Sequence, residues 1–179
     1  MKKDMETVKV RPRTMLEVYQ CLPEGIPLEL INNQLIMSPA PNDPHHQVIV
    51  ELSYEITGFV KKNNLGKIRI APSDVYINEE NFFQPDIYFV SNENPGNFER
   101  NGFHGSPDFI IEILSPGNEK KDKTDKYNIY EIAGVKEYWL VNPDTKTATG
   151  FYLTNSRFEL FAEEKDKLSS RLLNTIFPF

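Results

Sequence analysis

Hydrophobic positions recur along this chain with two periods, near two and near four, and the changes between them mark the elements. The run Asp108-Phe109-Ile110-Ile111-Glu112-Ile113-Leu114, held between Pro107 and Pro116, is apolar on both sides of an extended chain. Alternation puts Phe109, Ile111 and Ile113 on one face and Asp108, Ile110, Glu112 and Leu114 on the other, which predicts a central strand covered on both sides. Upstream, Thr14 is placed to cap a short helix over 14–20, closed by Pro23 and Gly25. Residues 27–31 and 34–37 flank Asn32-Asn33, two residues tolerant of positive φ, and predict a tight hairpin. Asp43-Pro44 predicts the cap and first turn of a helix in which Ile49, Leu52, Ile56 and Phe59 recur at helical spacing, stopped by Asn63-Asn64 and Gly66.

Downstream, 67–77 reads as a strand bent at Pro72, and 82–90 as a strand that begins near Pro85 and carries Asp86, Tyr88 and Val90 on one face. Residues 91–106, rich in Asn, Gly and Pro, read as a long loop. A helix over 122–133 ends at Gly134, a buried strand over 137–141 holds Trp139, and 146–153 and 157–161 form a closing meander. The tail, 168–179, is apolar enough to dock on the body or on a second subunit. Residues 1–13, with Lys2, Lys3, Lys9, Arg11 and Arg13, are expected to be a mobile arm before one domain spanning 14–179.

Composition narrows the class. A chain of 179 residues, 39% hydrophobic, with 12 Phe and 8 Tyr, suits one domain with a sizeable core rather than a disordered chain. The single cysteine, Cys21, excludes an internal disulfide and a Cys-rich zinc site and fits a reducing cytoplasm. No signal peptide is visible, and no apolar run approaches the ~18 residues that span a membrane. The net charge of −6 counts against a broad non-specific nucleic-acid coat but suits a metal site built from acids.

Candidate chemistry begins with Glu112, because a carboxylate in a two-sided apolar strand is costly unless a cation or strong donors meet it. Stepping back by three and four from Ile129, Tyr130 and Ala133 lands on Lys126, which prolongs the stripe that packs on the sheet. A lysine there either joins the site or snorkels past the helix end. Asp122, one turn earlier, is placed to pair with it. Asp86 and Glu112 on neighbouring strands supply hard oxygen ligands for Mg²⁺ or Mn²⁺. With Lys126 they form a sufficient set for phosphodiester hydrolysis. His45 and His46, adjacent on a helix, point in different directions and make a poor metal pair.

These residues also carry a resemblance. Pro85-Asp86, then Gly105 through Pro116, then Asp122, Lys126 and Tyr130, then Gly134-Val135-Lys136-Glu137-Tyr138-Trp139-Leu140-Val141-Asn142-Pro143 resemble the Uma-two-type restriction-endonuclease family of the PD-(D/E)xK nuclease superfamily. Leu28-Glu29-Leu30-Ile31 and the stretch from Met37 to His46 match its opening. The resemblance implies a restriction-endonuclease-like α/β core: a mixed β-sheet flanked by helices, with an N-terminal hairpin and a C-terminal meander. It implies a Mg²⁺- or Mn²⁺-dependent DNA endonuclease with Asp86 and Glu112 as metal ligands and Lys126 as the catalytic lysine. Leu114 stands where the lysine two positions after Glu112 is missing. Glu29, His46 and Asp122 are expected in supporting roles. Gln34 replaces a second hairpin acid common in that family. Asp108, about 13 Å from Glu112 by strand rise, is expected to cap the start of the strand. A homodimer is expected, since cutting two strands needs two sites and the tail needs a surface. The alternative is a non-catalytic DNA-binding or protein-interaction module that kept the fold.

Overall fold

The computed structural model describes residues 12–23, 26–37, 41–115, 119 and 122–179. The expected arm up to residue 11, Gly25, and Lys120 and Lys121 lie outside the described residues.

Helix α1 (Met15–Gln20) is capped by Thr14, whose hydroxyl accepts from the Glu17 amide. Strands β1 (Leu28–Ile31) and β2 (Gln34–Met37) form the expected hairpin, with Asn32 and Asn33 at φ of 49° and 61°. Helix α2 (Asp43–Lys62) is capped one residue earlier than expected, because the Asn42 side chain, rather than Asp43, accepts from the His45 amide. Val48, Leu52, Ile56 and Val60 are its buried line, with Ile49 and Phe59 half-buried beside them. Full burial of each such side chain stabilises the fold by about 1.5–3 kcal/mol.

The two expected strands over 67–77 and 82–90 each divide in two. The first becomes β3 (Gly66–Ile70) and β4 (Val75–Asn78), and the second β5 (Asn81–Phe83) and β6 (Ile87–Ser91). The expected loop over 91–106 holds a further hairpin, β7 (Asn97–Glu99) and β8 (Gly102–His104). The other strands are β9 (Phe109–Ile113), β10 (Glu137–Asn142), β11 (Thr147–Thr154), β12 (Arg157–Lys165), β13 (Lys167–Ser170) and β14 (Thr175–Pro178). One mixed sheet runs β12-β11-β10-β9-β6-β3, and a second runs β2-β1-β5-β4-β8-β7. Each divided strand therefore gives one half to each sheet.

Strand β9 lies between antiparallel β6 and parallel β10 and is buried throughout. Phe109, Ile111 and Ile113 join Ile87, Trp139 and the α2 line on one face. Leu168, Leu173 and Phe177 of the tail complete that core, so the tail docks on the body and needs no second subunit to cover it. Gly150 faces Trp139 across the ladder, where a β-carbon would stand 2.7 Å from the indole. On the opposite face, Ile110 and Leu114 pack with Tyr88, Val75, Phe83 and Phe103, which brings the second sheet over the first. The alternation assigned from sequence holds at every apolar position of β9. The α/β class holds as well, with the second sheet as an additional layer.

The segment after β9 opens with a π-helical turn, Asp122–Lys126, and continues as α3 (Tyr127–Ala133). Gly134, at φ 85°, ends it in the left-handed conformation glycine adopts without strain.

Candidate active site

Asp86 immediately precedes β6, one step beyond the Ile87–Ile111 pair of the antiparallel ladder, which puts it beside Glu112. Both side chains leave the sheet on the face of Tyr88 and Ile110. Asp86 is held from two directions. The Ile113 amide donates to Oδ2 at 2.6 Å, and Nε2 of His45 lies 3.0 Å from Oδ1.

Glu112 is 3% exposed, and its Oε1 accepts from the Tyr130 hydroxyl at 2.8 Å and from Lys126 Nζ at 3.1 Å. Lys126 is equally buried. Its ammonium also lies 2.9 Å from Glu29 Oε1 and 3.3 Å from Asp122 Oδ1. That Asp122 oxygen is buried and, among the described residues, the Lys126 ammonium is the cation it meets. The same Glu29 oxygen also accepts from the Gln84 backbone amide at 3.0 Å. Three carboxylates from β1, β9 and the π-helical turn thus converge on one ammonium.

The local sequence explains the convergence. Asp122, Lys126 and Tyr130 recur every fourth residue and are all buried, so one stripe delivers an acid, a cation and a phenol to the sheet. Widened turns of this kind recur at functional sites. Lys126 does not snorkel past the helix end, and its burial changes what its removal does to stability.

The electrostatics follow from burial. Burial pushes the Glu112 carboxyl well above the usual carboxylate range, Asp122, Asp86 and Glu29 push the same way, and Lys126 opposes them. Asp122 is raised for the same leading reason, again against Lys126. Burial would lower Lys126, but Glu112, Glu29 and Asp122 outweigh it and hold the ammonium well above its ordinary value. Three acids meet a single lysine, with Asp86 close enough to Glu112 and Asp122 to raise both further.

Among the described residues no group of three or more His, Cys, Asp and Glu side chains is arranged as a metal site. Lys126 fills the space between Glu29, Glu112 and Asp122. Asp86 and Glu112 both offer hard oxygens; both hydrogen bonds to Glu112 among the described residues fall on Oε1, whereas each Asp86 oxygen has one partner.

The structure brings Asp86, Glu112, Lys126, Glu29 and Asp122 together. It does not bring His46, which is exposed, and its buried neighbour His45 makes the contact with Asp86. Gln34 is exposed at the hairpin turn. Asp108 sits at the far end of β9, bound to Lys136, Ser91 and Asn94. Tyr130, an apolar-stripe position in the sequence pattern, also donates to Glu112, and its four-residue spacing from Lys126 is the signal in the sequence that places it there.

A family model described as Uma2, putative restriction endonuclease, matches residues 16–176. A crystal structure of a putative nuclease belonging to DUF820 from Anabaena variabilis ATCC 29413 is similar over 91% of this chain and 92% of that one, at 25% identity and a TM-score of 0.73. No curated protein matches the chain.

Proposed function

The chain belongs to the Uma2 family of putative restriction endonucleases, and from that premise we propose that it is a DNA endonuclease dependent on Mg²⁺ or Mn²⁺. One observation carries the reading: a fully buried ammonium is held by three carboxylates beside a fourth, Asp86. Ionising all of these carboxyls in low dielectric is costly, as the raised Glu112 and Asp122 record, and a bound dication would offset that cost. A fold without a site gains nothing from that expense.

Asp86 and Glu112 would hold the metal. When bound, it would polarise a phosphodiester oxygen and lower the pKa of an attacking water. His45 and the Ile113 amide fix the carboxylate of Asp86, so its oxygens need no reorganisation. Tyr130 fixes Glu112 in the same way. Lys126 stays an ammonium through neutral pH, held so by its three acids, and acts as a donor to water or to developing charge rather than as a base. Glu29 and Asp122 orient that ammonium.

Two copies per cut belong to this reading, because two strands need two sites. So does a reducing cytoplasm, which suits the exposed, unbridged Cys21. No helix among the described residues is long and apolar enough to cross a membrane.

The test is a Mn²⁺ cleavage panel of supercoiled, linear, single-stranded and branched DNA, with RNA included and Asp86→Ala as control. Metal-dependent cutting by the wild type alone is the expected result. Mg²⁺ or Mn²⁺ should also raise Tm by linkage, and Asp86→Asn should remove the rise. No shift up to about 10 mM, together with no cutting, would favour the non-catalytic binding module.

A further inference from the structure

Gln84 belongs to two places at once. Its amide donates to Glu29 in the site just described, while its side chain lines a cavity of about 750 Å³ between α1, the β3–β4 connection and the β7–β8 hairpin. Gln84 is two residues from Asp86, so the cavity begins about 7 Å of extended chain from the proposed metal ligand.

Apolar groups at Leu22, Pro23, Pro72 and Phe98 line this cavity, and Arg69 and Arg100 join them. Lys67 Nζ and Arg69 Cζ stand 4.8 and 4.7 Å from the centre of the Phe98 ring, so both cationic groups gather beside this lining residue. Among the described residues, Lys67, Arg69 and Arg100 form no ion pair. In a chain of net charge −6 this is a local excess of positive charge.

The two acids of the lining are already engaged. Asp74 accepts from the Tyr19 and Tyr76 hydroxyls at 2.7 and 2.9 Å and from the Gln84 amide group at 2.8 Å. Burial, helped by Asp74, raises both phenols, so they remain neutral donors. Glu99 lies 3.7 Å from His104, whose ring stacks on Tyr76. Apolar walls, a few convergent polar groups and cations with no ion pair among the described residues describe a ligand site for an anion with a flat apolar part.

We propose that this cavity takes an unpaired nucleotide of the DNA substrate, its base against Phe98 and its phosphate against Arg69 and Arg100. A base inside a duplex is stacked and paired and presents only backbone and groove edges. An unpaired base has a free face to stack on an aromatic ring and enough apolar surface to fill a concavity. The placement beside Asp86 rests on the nuclease reading, and it makes the enzyme one that acts where a strand is single or opened next to the cut.

The experiment measures binding apart from cutting. Fluorescence anisotropy of a labelled oligo-dT is followed against the full chain in chelator, beside the duplex and an oligo-U of equal length. The wild type should bind oligo-dT more tightly than either. Phe98→Ala and Arg100→Ala should each weaken it by about tenfold, within the range seen when a stacking ring or a phosphate-binding cation is removed. Phe98 packs on Phe103, so Phe98→Tyr keeps the ring and should keep the affinity. Lys62→Ala, at the end of α2, is the exposed control and should change nothing. The salt slope should fall by about 0.7 for each phosphate no longer neutralised. If Phe98→Ala and Arg100→Ala both bind within twofold of wild type, or if duplex or RNA binds more tightly than oligo-dT, the proposal is overturned. Binding with this pattern in a chain that cuts nothing would leave the cavity standing and remove the nuclease. Cutting with binding indifferent to these residues would do the reverse.

Discussion

Asp108 and Glu112 stand at the two ends of one strand, on the same face, and their surroundings have opposite effects. Burial alone would raise Asp108, but Lys136, the Ser91 amide and Asn94 outweigh it and bring its carboxyl below the ordinary value of 3.8. Its Oδ1 lies 2.7 Å from Lys136 Nζ, and Oδ2 accepts from the Ser91 amide and Asn94, each at 2.8 Å. Lys136 is half-exposed, so its ammonium keeps much of its hydration. Glu112 has a phenol and part of one buried ammonium, shared with Glu29 and Asp122. The same chemistry on the same strand is quiet where donors exceed charge and poised where charge exceeds donors. Both side chains are hidden from solvent, but Glu112 lies deeper, so desolvation and the shortage of donors act together there.

The sharpest way to break this comparison is to remove the cation at each end. Lys126→Ala should cut DNA roughly 10²–10³-fold more slowly, as when one electrostatic donor is removed. It should also cost about 3–5 kcal/mol of stability, because it strands buried carboxylates. A sequence-based view of Lys126 as a partly solvated stem predicts little change in stability, and burial overturns it. Bound metal should recover part of the loss, and chemical denaturation with and without Mn²⁺ measures both. Lys136→Ala, losing a cation whose head is half in water, should cost about 1 kcal/mol or less and leave cutting by the folded protein unchanged. Equal losses at the two ends would erase the distinction.

Next in size is His45→Ala, which takes one partner from Asp86. Removing such a supporting side chain should lower metal affinity or activity by about 10–100-fold. His46→Ala, at an exposed position, should stay within about 0.5 kcal/mol of wild type. Isothermal titration with Mn²⁺ separates them, and equal effects would return the role to His46.

The smallest effect is the acid response of the quiet end. Asp108 has a folded pKa below its unfolded one, so the stability it contributes is fully present above about 3.8 and is lost as pH falls through the lowered folded value. The gap in Tm between wild type and Asp108→Asn should be constant from pH 7 to 5 and close below 4. A gap that stays open in acid would mean that the cost of the substitution comes from packing rather than charge.

The sequence alone determined the faces of β9, the Asn32-Asn33 hairpin, the end of α3 at Gly134 and the stripe that selects Lys126. All of these rest on contacts or steric limits within a few residues, which periodicity and turn chemistry record. It also singled out Asp86 and Glu112, because an acid amid apolar neighbours is visible in one dimension. Tertiary structure decided the rest. Residues 67–77 and 82–90 each read as one extended run, yet their halves join different sheets, since Ile68 pairs with Phe89 while Tyr76 pairs with Phe82. Pairing partners are set by distant segments, and an apolar alternation suits either sheet. His45 and His46 are equivalent in the helical pattern until the end of the neighbouring sheet comes within reach of one of them. Glu29 and Lys126, almost a hundred residues apart, meet at 2.9 Å only because the hairpin and the π-helical turn close on the same face of β9. Their meeting fixes the charge balance of the site, and local sequence does not carry it, because electrostatic sums run over distance in space rather than along the chain.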